Sequence, residues 1–439
     1  MIDSHELRRR DSYLNKLIGF QDTEPVKVIT GIRRCGKSSL LKLMVQHLKD
    51  TGVLPEQIIE MNFESFDFHK MSADDVYRYV KERIITGKRM YLFFDELQRI
   101  KAWEDAVNAF RVDFDCDIYV TGSNAYLLSS EYATYLSGRC VEIKMLPLSF
   151  REFLDFHGFD VRETQSAFGG LRKQVFDKNN ERYELREVFA AYMRFGGMPG
   201  IADVGLEQEK VLALLDGIYS TVVIRDILER ETRRGQKQIT DPALLRKIIL
   251  FLADNIGSSV SIASIGNTLV NEGLWDDGKR KGTPSAHTVQ AYVNALLESY
   301  FFYEIKRFDI KGKAYLRTLG KYYIVDIGLR NYLLGFRNRD SGHAIENVVY
   351  FELLRRGYDV AIGKIGNDEV DFIATTADEK KYIQVTESMM SEDVRKRELA
   401  PLQSIRDNYE KIVLSLEPGL DTSYDGIKSE NLIDWLLNE

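Results

Sequence analysis

The residues best suited to chemistry form the run 31–39, Gly-Ile-Arg-Arg-Cys-Gly-Lys-Ser-Ser, between an apolar run at 26–30 and an apolar-periodic segment from Leu40. Glycines allow successive backbone N–H groups to curl around a phosphate, and the following helix N-terminus adds partial positive charge. Lys37 can reach the β- and γ-phosphates, and the Ser38 hydroxyl can hold Mg²⁺. The pattern predicts a phosphate-binding loop (P-loop) that binds ATP or GTP; the alternative is a glycine turn that caps a helix. The predicted nucleotide contacts are Gly31, Arg33, Arg34, Cys35, Gly36, Lys37, Ser38 and Ser39.

An acidic pair, Asp95 and Glu96, directly follows the apolar run 91–94. Such a run is typical of a strand buried in a parallel sheet. At the end of that strand, Asp95 would orient the Mg²⁺ shell and Glu96 would polarise the water that attacks the γ-phosphate. A surface acidic pair is the alternative, and the separation of about sixty residues from the loop disfavours it.

Two further residues are candidates for a hydrolytic site. Asn124 follows a strand candidate, where its amide could position the attacking water or contact the γ-phosphate; the alternative is an Asn in a turn. Arg139 precedes another strand candidate and could reach the nucleotide of a neighbouring subunit as an arginine finger. The alternative for Arg139 is a basic neighbour of a helix-capping glycine.

Five strand candidates must position these residues. They alternate with helical segments and cover 26–31, 58–63, 90–95, 117–122 and 140–145. This order predicts an α/β fold with a doubly wound parallel sheet that binds its ligand at the carboxyl ends of the strands. A basic, helix-like segment, Arg8-Arg9-Arg10 with Tyr13, precedes the first strand and would either cover the nucleotide base or form a solvated face.

The middle of the chain reads as helical from 150 to 235, as a lid over the nucleotide would require. Three helical segments and a strand pair then cover 241–325, the pattern of a winged helix-turn-helix, with Thr283 as helix cap and Pro284 at the first helical position. Candidate DNA contacts are Ser285, His287, Thr288, Gln290, Lys279, Arg280, Lys281, Lys311 and Lys313. Basic residues release counterions when they meet phosphates. Docking of a protein is the alternative.

The last hundred residues carry Glu346 on a helix, Asp371 on a strand, and Gln384 and Thr386 on the next strand. This is the layout of restriction-endonuclease-like folds, in which the acids hold Mg²⁺ and a lysine assists the hydrolytic water. Thr386 stands where that lysine should be. The sequence therefore predicts a degenerate core that binds rather than cuts, unless one of three other lysines substitutes. These lysines are Lys364, Lys380 and Lys381.

The chain resembles the AAA+ family of prokaryotic ATPases that carry a C-terminal domain of unknown function, from about Arg10 to the end. The resemblance rests on the loop 31–38, Phe-Phe-Asp-Glu-Leu-Gln at 93–98, Thr-Gly-Ser-Asn at 121–124, Leu-Ser-Gly-Arg at 136–139, Pro-Leu-Ser-Phe-Arg-Glu-Phe at 147–153 and Phe-Gly-Gly-Met-Pro at 195–199. It implies ATP rather than GTP, Asn124 as the first sensor, Arg139 as a finger acting across subunits of a homo-oligomer, and Arg194 or Arg225 as the second sensor.

Composition sets the limits on these expectations. With 439 residues and 44% apolar content, the chain is long enough for several domains with proper cores. The net charge of −7 excludes a bulk polycation, so DNA contact requires a local basic patch. Three cysteines without paired or metal-type spacing, and the absence of an apolar leader or long apolar run, predict a cytoplasmic protein that does not bind membranes.

Four domains are predicted from these patterns: an ATPase core at 1–150, a helical lid at 151–235, a winged helix at 236–330 and the nuclease-like domain at 331–439. Three functions remain open. The chain is a DNA-associated ATPase that moves or remodels DNA, a slow nucleotide-dependent switch or scaffold that docks a protein in stress or phage defence, or a nuclease gated by ATP. All three use the same site for ATP and Mg²⁺.

Overall fold

A computed structural model describes residues 7–123, 138–165, 171–229, 239, 241–271, 284–315, 319–337, 341–419 and 421–438. The chain divides into two compact units. The first comprises Met1–Leu146 with Glu298–Tyr300, and the second comprises Pro147–Leu297 with Phe301–Glu439. Among the described helices, none combines the length and the apolar character needed to cross a bilayer.

The first unit is built on a five-stranded parallel sheet with the order β2-β3-β4-β1-β5. Its strands are β1 Val26–Thr30, β2 Ile58–Asn62, β3 Met90–Asp95, β4 Cys116–Gly122 and β5 Cys140–Lys144. Every residue of β1 and β3 is buried, as expected for central strands covered on both faces. The predicted α/β sheet is confirmed, with strand ends within one residue of those expected.

Helices connect these strands and fill the core beside the sheet. They are Asp11–Gly19, Lys37–Asp50, Ala73–Lys81 and Trp103–Asp113. The helix Ala73–Lys81 begins with a capping box in which the Ser72 and Asp75 side chains bond each other's backbone N–H. Because all five strands are parallel, their carboxyl ends lie at one edge of the sheet, which brings the loops after β1, β3 and β4 together.

The second unit begins with a segment that differs from the helical prediction. Helices Phe150–His157, Leu185–Phe195, Ile201–Val204 and Gln208–Ser220 are present, followed by a π-helical stretch, Thr221–Glu229. Between the first two lies an antiparallel sheet of β6 Asp160–Gln165, β7 Leu171–Phe176 and β8 Arg182–Tyr183. Its strands are largely polar and pair residues such as Glu163 with Lys173. They therefore lack the apolar alternation by which a strand is recognised in sequence.

The next segment has the order of elements expected for a winged helix. The elements in chain order are helix Pro242–Asp254, β9 Ser259–Val260, helix Ile262–Asn271, helix Ala286–Glu298, β10 Phe302–Ile305 and, after two further short strands, β13 Gly320–Ile324. The three named strands pair antiparallel as β10-β13-β9. The predicted helix start is wrong, because the helix begins at Ala286 after Pro284. The Ser285 hydroxyl accepts a hydrogen bond from the Thr288 N–H at 3.1 Å and so caps this helix. Thr283 lies outside the described residues.

A mixed eight-stranded sheet with the order β12-β11-β14-β15-β16-β17-β19-β18 completes the second unit. Its strands are β11 Arg307–Asp309, β12 Ala314–Tyr315, β14 Asp359–Ile365, β15 Asp368–Thr375, β16 Lys380–Ser388, β17 Glu410–Glu417, β18 Ser423–Tyr424 and β19 Ile427–Asn431. Strands β14, β15 and β16 are antiparallel, whereas β16, β17 and β19 are parallel. Helices Ile327–Leu334, Ser341–Arg355, Glu392–Gln403 and Leu432–Leu437 accompany the sheet.

The expected wing is built differently from a free hairpin between β10 and β13. Its strand β11 pairs parallel with β14, so the segment that carries Lys311 and Lys313 extends the mixed sheet. Phe308 and Ile310 pack on the core of that sheet. These two apolar side chains explain why the segment joins it, and both lysines remain exposed at the turn.

Candidate nucleotide-binding site

The glycine-rich loop leaves β1 with a backbone that glycines permit. Gly31 has φ +141°, and a Cβ atom there would lie 2.1 Å from the Met145 carbonyl oxygen. Gly36 has φ +103° and immediately precedes the helix Lys37–Asp50. Met145 also donates its N–H to the Thr30 carbonyl oxygen at 2.7 Å. Gly31 is therefore required by the close approach of the chain after β5, and Gly36 by the left-handed turn into the helix.

Lys37 is held inside this loop. Its ammonium donates to the carbonyl oxygens of Gly31 and Ile32 at 3.0 and 3.1 Å, and only 4% of the residue is exposed. These contacts keep the Lys37 ammonium at the centre of the loop. A phosphate surrounded by the backbone amides of the loop would place its negative charge there.

Asp95 connects the loop to the neighbouring strands. Its Oδ1 accepts hydrogen bonds from the Ser38 hydroxyl at 3.0 Å and the Thr121 hydroxyl at 2.6 Å, and its Oδ2 accepts one from Asn62 Nδ2 at 2.9 Å. Burial raises the pKa of Asp95, while the hydrogen bonds from Thr121 and Ser38 oppose that rise. A hydroxyl and a carboxylate oxygen side by side are the ligand types that Mg²⁺ prefers, so Ser38 and Asp95 fit this ion.

Glu96 is oriented by a separate set of contacts. Its backbone is left-handed (φ 57°, ψ 43°), and its N–H donates to the Thr121 hydroxyl at 2.9 Å. Its Oε2 accepts hydrogen bonds from Gln98 Nε2 at 2.6 Å and from the Ser123 hydroxyl at 3.3 Å. The Glu96 carboxylate is thus held by hydrogen-bond partners that differ from those of the Asp95 carboxylate. Two neighbouring acids can have different chemical roles when their surroundings differ in this way.

Two arginines from different loops form ion pairs with the same acid, Glu64. Arg33 forms an ion pair with Glu64 at 3.1 Å and lies 3.9 Å from the Glu96 carboxylate. Arg99 pairs with the same Glu64 oxygen at 2.7 Å. Glu64 also donates its N–H to Asn62 Oδ1 at 2.8 Å, which links the loop after β2 to the Asp95 contacts. Glu64 therefore pairs with one arginine of the phosphate-binding loop and with another that directly follows the segment 93–98.

Arg10 has a role that neither interpretation of the N-terminal segment predicted. It is buried, and its guanidinium donates to the carbonyl oxygens of Cys35 and Leu146 at 3.0 and 2.8 Å. Its guanidinium carbon lies 4.6 Å from the Tyr13 ring centroid, and the Tyr13 hydroxyl accepts the Leu146 N–H at 3.1 Å. Arg10 therefore supports the backbone of the phosphate-binding loop and does not form a solvated face.

The predicted contact residues occupy different positions on this loop. Arg34, Ser38 and Ser39 are exposed, whereas the Cys35 side chain is fully buried and offers only its backbone to a ligand. Asn124 lies outside the described residues. Five further residues contact the loop or its acids without having been predicted as site residues: Asn62, Glu64, Gln98, Thr121 and Ser123. Most of them stand at or just after the ends of β2, β3 and β4, a position that marks candidates once strand order is known.

Arg139 is not brought to the loop of its own chain. It is exposed and precedes β5, where its carbonyl oxygen accepts the Val26 N–H at 2.9 Å. Val26 begins β1, so Arg139 lies at the amino end of the sheet, whereas the loop follows the carboxyl end. A five-residue strand separates these ends by about 15 Å.

Comparison with known proteins agrees with this geometry. Residues 23–154 match a family described as "AAA domain", and residues 186–340 match a "Domain of unknown function (DUF8612)". The parallel sheet with its phosphate-binding loop and acidic strand end defines a P-loop protein of the AAA+ class.

Two proteins are similar to this chain over nearly its whole length, and a solved structure resembles part of it. The chain is 39% identical over 432 residues to an uncharacterized protein of Haemophilus influenzae, covering 98% of each chain. It is 30% identical over 427 residues to the uncharacterized protein MJ1544 of Methanocaldococcus jannaschii, covering 95% of this chain and 85% of that one. The Walker-type ATPase PABY2304 of Pyrococcus abyssi is 17% identical, with a TM-score of 0.47 over 74% of this chain and 95% of that one. The chain belongs to the AAA+ family of prokaryotic ATPases that carry a C-terminal domain of unknown function.

Proposed function

We propose that this protein binds ATP with Mg²⁺, hydrolyses it to ADP and phosphate, and couples this cycle to DNA. The observation that carries the proposal is the 3.0 Å hydrogen bond between the Ser38 hydroxyl and Asp95. The loop and the acidic strand end, which are 57 residues apart in sequence, meet through these two side chains. Both motifs were predicted to hold the same ion, and their contact supports one common site.

The roles of the residues follow from their contacts. Lys37 binds the phosphates, because its ammonium is already central in the loop. Ser38 and Asp95 hold Mg²⁺, which when bound neutralises charge on the phosphate oxygens. Glu96 orients the attacking water, since Gln98 and Ser123 fix its carboxylate. Asn124 is proposed to position the same water.

The test of the nucleotide site is the Lys37→Ala variant. Loss of the ammonium should weaken ATP binding by about tenfold or more, because the phosphates lose their main cation. The matched control is Lys42→Ala, which removes an exposed lysine from the same helix and should leave affinity unchanged. Titration with a fluorescent ATP analogue measures both. Equal affinity of Lys37→Ala and wild type would refute the site.

Coupling to DNA rests on the exposed parts of segment 241–325. The helix Ala286–Glu298 buries Val289, Tyr292 and Val293 and leaves His287 and Gln290 exposed. A helix with its polar face free is what a groove-binding helix requires. The exposed Lys311 and Lys313 add positive charge on the same unit.

DNA coupling is tested by ATP turnover with and without duplex or single-stranded DNA across a salt series. We expect turnover stimulated by DNA, with a stimulation that weakens steeply as salt rises. Charge reversal of Lys279, Arg280 and Lys281 should reduce it, whereas reversal of three exposed basic residues of the first unit should not. These control residues are Lys81, Arg83 and Lys88. A rate indifferent to DNA would favour the switch that docks a protein.

A further inference from the structure

The carboxylates predicted for a nuclease-like site do come together in the second unit. Glu346 on the helix Ser341–Arg355 and Asp371 on β15 interact electrostatically, and both are buried. The Asp371 carboxylate accepts the Val385 N–H at 2.8 Å, and the Asp371 N–H donates to Gln384 Oε1 at 3.3 Å. The Gln384 amide in turn donates to Glu398 at 3.1 Å.

A lysine from outside this layout enters the cluster. The Lys321 ammonium lies 2.8 Å from Glu369 Oε1 and 3.8 Å from Glu346 Oε2, and only 5% of its side chain is exposed. Burial lowers its pKa, but the Glu346, Asp371 and Glu369 carboxylates outweigh this and raise the pKa of Lys321 above its usual value. Lys321 therefore stays charged among the acids.

The strand that carries Lys321 is fixed against the cluster. The Asn347 side chain brackets β13, accepting the Ile324 N–H at 3.0 Å and donating to the Ile324 carbonyl at 2.9 Å. The Tyr323 hydroxyl donates to Glu346 Oε2 at 3.1 Å, and its ring stacks on Tyr350 at 5.0 Å. Both backbone hydrogen-bonding groups of Ile324 are therefore bonded to Asn347. This fixes the backbone of β13 and, with it, the position of Lys321.

Two cations lie close to the carboxylates of the cluster. Two cations, Lys321 and Arg307, face the Glu346 and Glu369 carboxylates, with Arg307 Nε 4.0 Å from Glu369 Oε2. Burial, and next the Glu346 carboxylate, raise the pKa of Asp371 well above its usual range.

The residues present do not fit the Mg²⁺ site of restriction-endonuclease-like folds. The described parts of the chain contain no group of three or more His, Cys, Asp or Glu side chains arranged to hold a metal ion. The lysines considered as substitutes are engaged elsewhere. Lys364 donates to the Asn367 carbonyl, Lys381 pairs with Glu379 and Glu410, and Lys380 lies 4.8 Å from the Tyr382 ring centroid.

We propose that the Lys321 ammonium takes the place of the divalent cation in this nuclease-like domain. Its ion pairs with the carboxylates hold β13 against the mixed sheet, and the site does not cut nucleic acid. Acidic residues that match the sequence pattern of a nuclease core thus form an internal ion-pair cluster. A buried carboxylate that keeps its charge needs such a partner, since an unpaired buried charge is strongly destabilising.

The test compares melting temperatures in chelator and in Mn²⁺, without nucleotide, for the full-length protein and its variants. Any response of wild type to Mn²⁺ should persist in Asp371→Asn. Lys321→Met should melt roughly 5–10 °C lower in chelator, because acids are left unpaired, and should regain part of this loss in Mn²⁺. The double variant Lys321→Met/Asp371→Asn should lose the Mn²⁺ response. The control Lys364→Met, the same change on β14, should melt near wild type in both conditions.

Several results would overturn the proposal. One is a wild-type melting temperature that rises in Mn²⁺ and no longer does so in Asp371→Asn. Another is Mn²⁺-dependent cleavage of DNA that is abolished by Asp371→Asn. A Lys321→Met protein without any response to Mn²⁺ would show that the carboxylates form no cation position. If Lys321→Met does not fold, the comparison of wild type with Asp371→Asn alone decides the question.

Discussion

At the scale of single residues, the carboxylates of the adjacent acids Asp95 and Glu96 have different hydrogen-bond partners. Asp95 receives hydrogen bonds from Ser38, Thr121 and Asn62, so both of its oxygens are oriented. Glu96 has its backbone anchored by Thr121 and its carboxylate bonded to Gln98. Glu96 adopts this arrangement with a left-handed backbone, φ 57°, which is uncommon for a residue other than glycine.

The Glu96→Gln change tests this division of labour. The amide keeps the size of the side chain but cannot polarise water, so ATP binding should persist while turnover falls at least about a hundredfold. Equilibrium binding and phosphate release measure the two effects. Glu60→Gln, the same change at an exposed position of β2, is the control and should retain full turnover. Unchanged turnover in Glu96→Gln would refute the assigned role.

At the scale of elements, the Phe-Gly-Gly-Met-Pro motif marks a crossing of two backbone segments. A Cβ atom at Gly197 would lie 2.4 Å from the Leu148 carbonyl oxygen, and one at Gly328 would lie 2.0 Å from the Phe195 carbonyl oxygen. Asp326 caps the helix Ile327–Leu334 and also accepts the Gly197 N–H at 2.6 Å. The glycines are required by this close approach within the second unit.

Gly328→Ala should therefore lower the free energy of unfolding of the second unit by about 2–4 kcal/mol. The added Cβ would overlap backbone atoms, and these cannot shift without straining the chain. Gly217→Ala is the control. Gly217 lies within the helix Gln208–Ser220 with open space around it, so alanine there should stabilise by about 0.5–1 kcal/mol. Chemical denaturation monitored by tryptophan fluorescence and circular dichroism measures both. Similar effects of the two changes would contradict the proposed crossing.

At the scale of the whole molecule, Arg139 bears on assembly. Arg139 is exposed at the end of the sheet opposite its own loop, so its predicted role as an arginine finger requires the ATP site of another copy of the chain. That role predicts a homo-oligomer in which each ATP site is completed by a neighbouring subunit.

Mixing subunits tests this arrangement. Arg139→Ala alone should lose turnover by about a thousandfold, and Glu96→Gln alone should also be inactive. A mixture should recover part of the rate, because some interfaces then combine an intact Glu96 with an intact Arg139. Arg83→Ala, which removes another exposed arginine of the first unit, should remain active by itself. Absence of recovery at every mixing ratio would count against action across subunits.

The sequence by itself determined the parallel sheet, the phosphate-binding loop and the acidic strand end. Each of these depends on contiguous residues: an apolar run forms a buried strand, and glycines with Lys37 and Ser38 form the loop wherever that strand lies. The carboxyl ends of parallel strands lie at one edge of the sheet, which is why the meeting of Ser38 with Asp95 could be expected.

Only the tertiary structure decided which distant residues complete the sites. Arg10 reaches Cys35 and Leu146, and Lys321 reaches Glu346 and Glu369, through packing between segments that share no local pattern. The strands β6 and β7 could not be recognised in the sequence either, because their residues are largely polar and they pair with each other as shown by the register of Glu163 with Lys173. Such contacts depend on how surfaces fit after folding, and a lysine or arginine has the same local signature whether it is solvated or buried against carboxylates.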